Sequence, residues 1–177
     1  TVPTAAPILQ PSAWVARRYS GTANFGSDQH FSWGTITMTE RLDYAHINGA
    51  AIAAMAAAKG HMPSVDAGLR ALVELRVSQI NGCAYCVDLH TTEARAAGEG
   101  QQRLDCLTVW RETPFFNEAE RAALAWAEAV TRVADDGAPE DLFRNLGAHF
   151  TEKQTVDLTL IIAQMNAWNR IAISFEH

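Results

Sequence analysis

The apolar and polar residues from Met38 onward alternate with the period of α-helices. Apolar positions recur three or four residues apart, and glycine, proline or capping residues separate the segments. We find no strand-like alternation over more than a few residues. The segments that predict helices are "ERLDYAHINGAAIAAMAAAKG", "VDAGLRALVELRVSQI", Asn81 to Gly98, "QQRLDCLTVWRE", "RAALAWAEAVTRVA", "PEDLFRNLGAHF" and "TVDLTLIIAQMNAWNRIAISF". We therefore predict a compact all-α fold of about six to seven helices.

Capping residues predict where several helices begin and end. Ser64 can cap the second helix, Asn81 the third, and Gly98 can end the third. Two pairs have capping-box spacing before later helices: Asn117 with Glu120, and Thr151 with Gln154. Cys106 lies among helix-forming apolar residues, so we expect a buried thiol there.

Residues 1–37 differ from the helical part. The first 14 residues contain three prolines, and "RRYSGTANFGSDQHFSWGTIT" contains three glycines, without a helical period. Several aromatic residues make this segment unlike a solvated tail, so we expect it to pack on its own domain or on a neighbouring subunit. We predict an irregular extension over residues 1–37 and a helical domain over residues 38–177.

The composition narrows the class of protein. The chain has 177 residues, 48% hydrophobic and 19% charged, with a net charge of -6 and three cysteines. That suits one globular domain. The sequence has no basic run that would bind nucleic acid, no apolar run near the roughly 18 residues of a membrane span, and no secretory signal pattern. We expect a cytoplasmic protein in a reducing compartment, with no nucleic-acid or membrane partner.

The segment "NGCAYCVDLH" contains the residues best suited to chemistry. If Asn81 caps a helix, Cys83 falls in its first turn, and Cys86 and His90 follow on the same face. Helix N-termini and C-x-x-C contexts lower the pKa of a thiol, and a histidine can take its proton. A second cysteine one turn away can close a disulfide after the first is oxidised. The spacing therefore favours two-electron thiol chemistry.

Two other readings of the motif stay open. Zinc would need a fourth ligand beside Cys83, Cys86 and His90, because structural sites have four. The candidates for that ligand are His149, His61, Glu74 and Cys106, and the sequence shows no second ligand pair. Alternatively, both thiols are inert core residues.

The stretch "LVELRVSQINGCAYCVDLHTTEARAAGE", Leu72 to Glu99, resembles the core motif of AhpD-like alkylhydroperoxidases in the carboxymuconolactone decarboxylase superfamily. The resemblance continues through "WRETPFFNEAERAALAWAEAVT" and "FTEKQTVDLTLIIAQMNAWNR" and covers essentially Met38 to Phe175. It implies an all-helical protein that assembles into trimers or hexamers and works in antioxidant or thiol-redox reactions without a metal or other cofactor.

The resemblance also implies roles for four residues. Cys86 matches the cysteine that attacks the peroxide, Cys83 the one that resolves it, and His90 the histidine of a proton relay. Glu74 is the candidate for the relay glutamate, although the founding branch places that residue where this chain has Ala71. An ordinary ion pair with Arg70 is the alternative role for Glu74.

These roles imply a hydroperoxide reductase that acts on an organic hydroperoxide and is regenerated by an external dithiol. Two alternatives stay open: a thiol-disulfide oxidoreductase acting on protein or small-molecule disulfides, and a non-redox helical oligomeric scaffold. Decarboxylation, as in the lactone-processing branch, fits less well because that branch is not associated with a C-x-x-C centre.

Overall fold

The computed structural model describes residues 41–175, and every regular element in that range is helical. The predicted extension over residues 1–37 lies outside the described residues. In chain order the α-helices are α1 (Tyr44–Ile47), α2 (Gly49–Ala57), α3 (Ala67–Asn81), α4 (Ala84–Ala96), α5 (Gln101–Asp105), α6 (Glu118–Thr131), α7 (Val133–Asp136), α8 (Glu140–His149) and α9 (Glu152–Phe175). Two 3₁₀ helices span Ala58–His61 and Leu107–Glu112. The all-α prediction is confirmed.

The chain divides into two compact units. Residues 50–173 form the larger unit, and the described part of the other consists of residues 41–49 with 174–175. In the smaller unit, the Arg41 N–H donates to the Phe175 carbonyl at 2.7 Å, and the Tyr44 ring packs 5.5 Å from the Phe175 ring. Among the described helices, none is both long enough and apolar enough to span a membrane.

Helix α3 is the centre of the larger unit. It packs against α4 and α6, and α6 packs in turn against α8. Nearly every residue from Ala71 to Ser78 is buried, so α3 contributes to two apolar clusters. The first cluster contains Val73, Val77 and both C-x-x-C cysteines, together with residues of α6 and α9. The second contains Leu72, Leu75 and Trp110. The cysteines are therefore part of the core.

The turn between α3 and α4 sets the position of the cysteines. Gly82 ends α3 with φ of 69°. This left-handed conformation is unfavourable for residues other than glycine, because their Cβ atom crowds the backbone. Cys83 then serves as the N-cap of α4. The prediction that Asn81 caps this helix was wrong, because Asn81 is the last residue of α3.

Other predicted boundaries had mixed outcomes. Both capping boxes form, at Asn117 with Glu120 and at Thr151 with Gln154. Gly98 follows the end of α4 with φ of 96°, and the Glu99 N–H donates to the Ala94 carbonyl as in a Schellman motif. The prediction for Ser64 was wrong, because the Asp66 carboxylate caps α3 and Ser64 donates to Asp157 instead.

Two helices predicted as continuous are interrupted. The first predicted helix divides into α1, α2 and a 3₁₀ helix, with Asn48 between α1 and α2. The fourth predicted helix divides at Cys106 into α5 and a 3₁₀ helix. Cys106 is half-buried at this junction, so the prediction of a buried thiol was wrong.

Buried amides on α9 hold the end of α3 in place. The Asn81 amide donates to Asn166 Oδ1 at 3.0 Å and to Asn169 Oδ1 at 2.8 Å. Asn169, which is fully buried, donates to Ser78 Oγ at 3.2 Å. Buried amides need such partners. The network ties α9 to α3 at the residue just before the turn to Cys83.

Candidate active site

The C-x-x-C cysteines lie at the start of α4 and are joined as a disulfide with Cα atoms 5.3 Å apart. That separation lies within the range of about 4.4–6.8 Å usual for disulfides. Cys83 is 2% exposed and Cys86 is 3% exposed. The fold therefore accommodates the pair in its oxidised form inside the core.

Cys83 has a hydrogen bond that bears on its acidity. As the N-cap residue it accepts the Cys86 N–H at its Sγ, 3.3 Å away. N–H groups in the first turn of a helix are unpaired within the helix and stabilise a negative charge. In the reduced protein the same contact would favour a thiolate at Cys83. Geometry alone therefore favours Cys83 as the more acidic thiol.

His90 follows Cys86 by four residues, so the two side chains share one face of α4. The His90 side chain is 7% exposed. Its Nδ1 lies 2.8 Å from Glu93 Oε2 and 3.5 Å from Glu74 Oε2. The structure therefore brings the predicted Glu74 and His90 together, and adds Glu93 to them.

Two cations balance the carboxylates beside His90. Arg70 Nε donates to Glu74 Oε1 at 2.9 Å, which is the ion pair expected from their spacing on α3. Lys59 Nζ lies 3.8 Å from Glu74 Oε2 and 3.9 Å from Glu93 Oε1. Arg70 Nη2 is buried and has no hydrogen-bond partner within residues 41–175. The site therefore keeps one unpaired donor close to Glu74.

Glu93 is ionised more readily than an ordinary glutamate. The hydrogen bond from His90 holds the pKa of Glu93 below its usual value; burial opposes this shift and the positive charge of Lys59 adds to it. Because an ionised carboxylate can only accept hydrogen bonds, the 2.8 Å contact is a hydrogen bond when His90 Nδ1 carries the proton. The other ring nitrogen, Nε2, is then the one that can exchange a proton with a reacting group.

The same side chains could hold a cation. Ligand atoms of Glu74, His90 and Glu93 lie within 4.8 Å of one another. Among the residues that the structure describes, these three side chains are the group close enough together to bind a metal ion. Lys59 and Arg70 already neutralise both carboxylates, so the arrangement suits an ion-pair network better. The cysteines are not part of the group, and sulfurs joined in a disulfide are not thiolate ligands for zinc.

Sequence reasoning missed Glu93 and Lys59. The position of Glu93 was readable, because a carboxylate three residues after a histidine on one helix lies within reach of it. Lys59 gave no such signal. It comes from the 3₁₀ helix before α3, and only the tertiary fold places it beside two carboxylates on other helices.

Comparison with known proteins identifies a family that this chain resembles. The model of the carboxymuconolactone decarboxylase family matches residues 47–129. The uncharacterized protein YdfG of Bacillus subtilis is 45% identical over 111 residues, which are 63% of this chain and 76% of YdfG.

Two solved structures share the fold. One is a protein of unknown function from Agrobacterium tumefaciens, proposed to be the antioxidant defence protein AhpD. Its TM-score is 0.75 with 41% identity, and the match covers 77% of this chain and 95% of that one. The other is an uncharacterized peroxidase-related protein with an AhpD core from Ralstonia eutropha. Its TM-score is 0.66 with 23% identity, covering 74% of this chain and 71% of that one, and it supports the fold alone.

Proposed function

The chain belongs to the carboxymuconolactone decarboxylase family, within its AhpD-like part, and we propose that it is a thiol-dependent hydroperoxide reductase. One observation carries the proposal. The C-x-x-C pair begins a helix on which a histidine, paired with a carboxylate, follows one turn later. Such an arrangement supplies a nucleophile, a resolving thiol and a proton-transfer group on one element.

The proposed reaction consumes two thiols for each hydroperoxide. The Cys86 thiolate attacks the terminal oxygen of ROOH, and the O–O bond breaks to give a sulfenic acid and an alkoxide. His90 delivers a proton to the alkoxide, which leaves as the alcohol. The Cys83 thiol then attacks the Cys86 sulfur, and the sulfenic oxygen leaves as water. The protein ends as the Cys83–Cys86 disulfide.

The division of roles between the cysteines rests on the family resemblance. The N-cap geometry favours the thiolate at Cys83, whereas the resemblance assigns attack to Cys86. His90 shares a helix face with Cys86, one turn away, and this favours Cys86 as the thiol that it serves. Glu74, in contact with both His90 and Arg70, is proposed to complete the relay.

An external dithiol is proposed to reduce the disulfide by thiol–disulfide exchange. Because both cysteines are buried, this reductant must be small or must meet a locally opened α4. We further propose that the chain works as a homo-oligomer, a trimer or hexamer. Its α2 is made largely of alanine and has no buried residue, which suits a surface that packs on another copy.

Thiol counting tests the proposed reaction. Fully reduced protein has three thiols. One equivalent of cumene hydroperoxide should remove two of them and release one equivalent of cumyl alcohol, with Cys106 still reduced. A Cys106→Ser variant is the matched control, and it should lose the same two thiols and retain none. Survival of every thiol in the parent would end the peroxidase proposal and leave the thiol-disulfide oxidoreductase and the scaffold as alternatives.

A second candidate, a thiol-disulfide oxidoreductase, is favoured by the N-cap position of Cys83. When a helix N-terminus stabilises the thiolate of the first cysteine in a C-x-x-C pair, that cysteine is suited to attack disulfides. This function predicts rapid exchange with a small disulfide and slow reaction with hydroperoxides. The rates at which the protein itself loses thiols, counted after small molecules are removed, with oxidised glutathione and with cumene hydroperoxide therefore separate the two candidates.

A further inference from the structure

We propose that Glu93 is the positioning residue of this site: its carboxylate orients the His90 ring and keeps the proton on Nδ1. The inference rests on the proposed function for its kinetic consequence. Which glutamate orients the His90 ring and determines which ring nitrogen is protonated can be measured without any catalytic turnover.

Distances to the imidazole distinguish the two glutamates. Glu93 Oε2 lies at 2.8 Å from His90 Nδ1, within hydrogen-bond range, whereas Glu74 Oε2 lies at 3.5 Å. His90 and Glu93 lie on the same helix, three residues apart, so α4 itself fixes their separation. Glu74 belongs to α3, and its distance depends on how the two helices pack.

Glu74 is already committed to another partner. Its Oε1 accepts the Arg70 Nε–H at 2.9 Å, and Lys59 lies 3.8 Å from its Oε2. The Glu74 side chain is 7% exposed, so this charge relies on those cations for its stabilisation. Turning Glu74 fully towards His90 would weaken a buried ion pair. Glu93 can accept its hydrogen bond from His90 without giving up a hydrogen bond to an arginine.

The charge of Glu93 suits holding a proton on the ring rather than relaying one. Its pKa lies below the ordinary value, mainly because His90 donates to it, so it carries no proton near neutral pH. An anion beside Nδ1 favours the tautomer with Nδ1 protonated and stabilises the imidazolium that forms when Nε2 accepts a proton. The basic nitrogen then faces away from Glu93, ready to exchange a proton with the reacting thiol.

The test combines kinetics with the tautomer of His90. Variants Glu93→Ala, Glu93→Gln and Glu74→Gln are compared with Glu112→Gln, which removes an exposed carboxylate. Thiol loss with cumene hydroperoxide gives the rate. Long-range ¹H–¹⁵N spectra, recorded at rising pH until the ring is neutral, show which ring nitrogen carries the proton. The His90 signals are assigned with a His90→Gln variant.

Glu93→Ala should slow thiol loss by about 10–100-fold, a part of the 10²–10⁴ that general acid–base catalysis supplies. It should also move the proton of neutral His90 from Nδ1 towards Nε2. Glu93→Gln should stay within about fivefold of the parent, because the amide oxygen still accepts from Nδ1. Glu74→Gln should leave the proton on Nδ1, and Glu112→Gln should match the parent in both measurements.

The outcomes separate this inference from the proposed function. If the parent does not react with hydroperoxide, the proposed function fails, and the tautomer comparison alone decides the role of Glu93. If the parent reacts and Glu93→Ala changes neither rate nor tautomer, the inference is overturned by itself. A tautomer change in Glu74→Gln but not in Glu93→Ala also overturns it, as does a rate loss in Glu93→Ala with the proton still on Nδ1.

Discussion

Replacing Glu128 with alanine should cost about 3–5 kcal/mol of unfolding free energy, because it leaves a buried cation without its partner. Glu128 on α6 accepts from Arg76 Nε at 2.7 Å, from Trp110 Nε1 at 3.0 Å and from Arg111 Nη1 at 2.5 Å. The side chains of Glu128 and Arg76 are 7% and 11% exposed. This group ties α6 to α3, the helix that carries Glu74.

The exposures determine the size of the effect. The Arg76 side chain is only 11% exposed, so its unpaired charge would be poorly solvated and accounts for most of the loss. Arg111 is 53% exposed and can be solvated where it stands, so Arg111→Ala should cost only about 0–1 kcal/mol. In the double variant Glu128→Leu with Arg76→Met, both charges are gone. Stability should return to within about 1–2 kcal/mol of the parent, since an apolar pair can replace a buried ion pair.

Urea unfolding followed by circular dichroism measures these differences, with the slope of unfolding free energy against urea checked for constancy. Arg111→Ala is the control for the loss of one charge in the same group. If Glu128→Ala falls within about 1 kcal/mol of the parent, water reaches Arg76 and the buried-charge reasoning is refuted. If the double variant is no more stable than Glu128→Ala, the loss comes from the unpaired Trp110 N–H or from packing around it instead of from charge.

Three further predictions use the same unfolding assay. Gly82→Ala should destabilise by about 1 kcal/mol because of its left-handed backbone, whereas Gly147→Ala, inside α8, should stabilise by about 0.5–1 kcal/mol; equal effects would contradict this. Asn169→Ala should cost about 1–3 kcal/mol by removing partners of Asn81 and Ser78, and a smaller loss would mean that water replaces the amide. Burial alone would raise the pKa of Glu128, but hydrogen bonds from Arg111, Trp110 and Arg76 hold that pKa below the ordinary value. The stabilisation from the Glu128 carboxylate is therefore complete above the unfolded pKa of about 4.5, and it is lost as pH falls through the lower folded pKa. The parent should therefore lose more stability than Glu128→Gln on acidification from pH 6 to pH 3, and parallel pH curves would contradict this.

Local patterns in the sequence predicted most of the helices. Helical periodicity gave the longer helices, and the capping boxes at Asn117 and Thr151 formed as predicted because both partners lie within four residues. Ser64 failed as a cap because its hydroxyl donates to Asp157, 93 positions away, at 2.6 Å. Asp66, two residues nearer to α3, then supplies the capping carboxylate. A local pattern cannot show that a capping residue is already bound to a distant helix.

Part of the arrangement of the candidate site was predictable from the sequence. Cys83, Cys86 and His90 follow from spacing on one helix, and the contact of Glu74 with His90 follows from the packing of α3 against α4. Whether Glu74 bonds to Arg70 or serves His90 could not be decided from spacing, and the structure shows contacts with both. The choice between Glu74 and Glu93 depends on a difference of 0.7 Å in distance to one nitrogen, 3.5 against 2.8 Å. Only the packed structure contains that information.

Trapping the sulfenic acid shows which cysteine attacks the hydroperoxide. Cys83→Ser and Cys86→Ser are made in a Cys106→Ser background, reduced, and treated with one equivalent of cumene hydroperoxide in the presence of dimedone. Mass spectrometry then locates the adduct. We expect a dimedone adduct on Cys86 in the Cys83→Ser protein and none in the Cys86→Ser protein. An adduct on Cys83 in the Cys86→Ser protein, or no adduct in either, would contradict it.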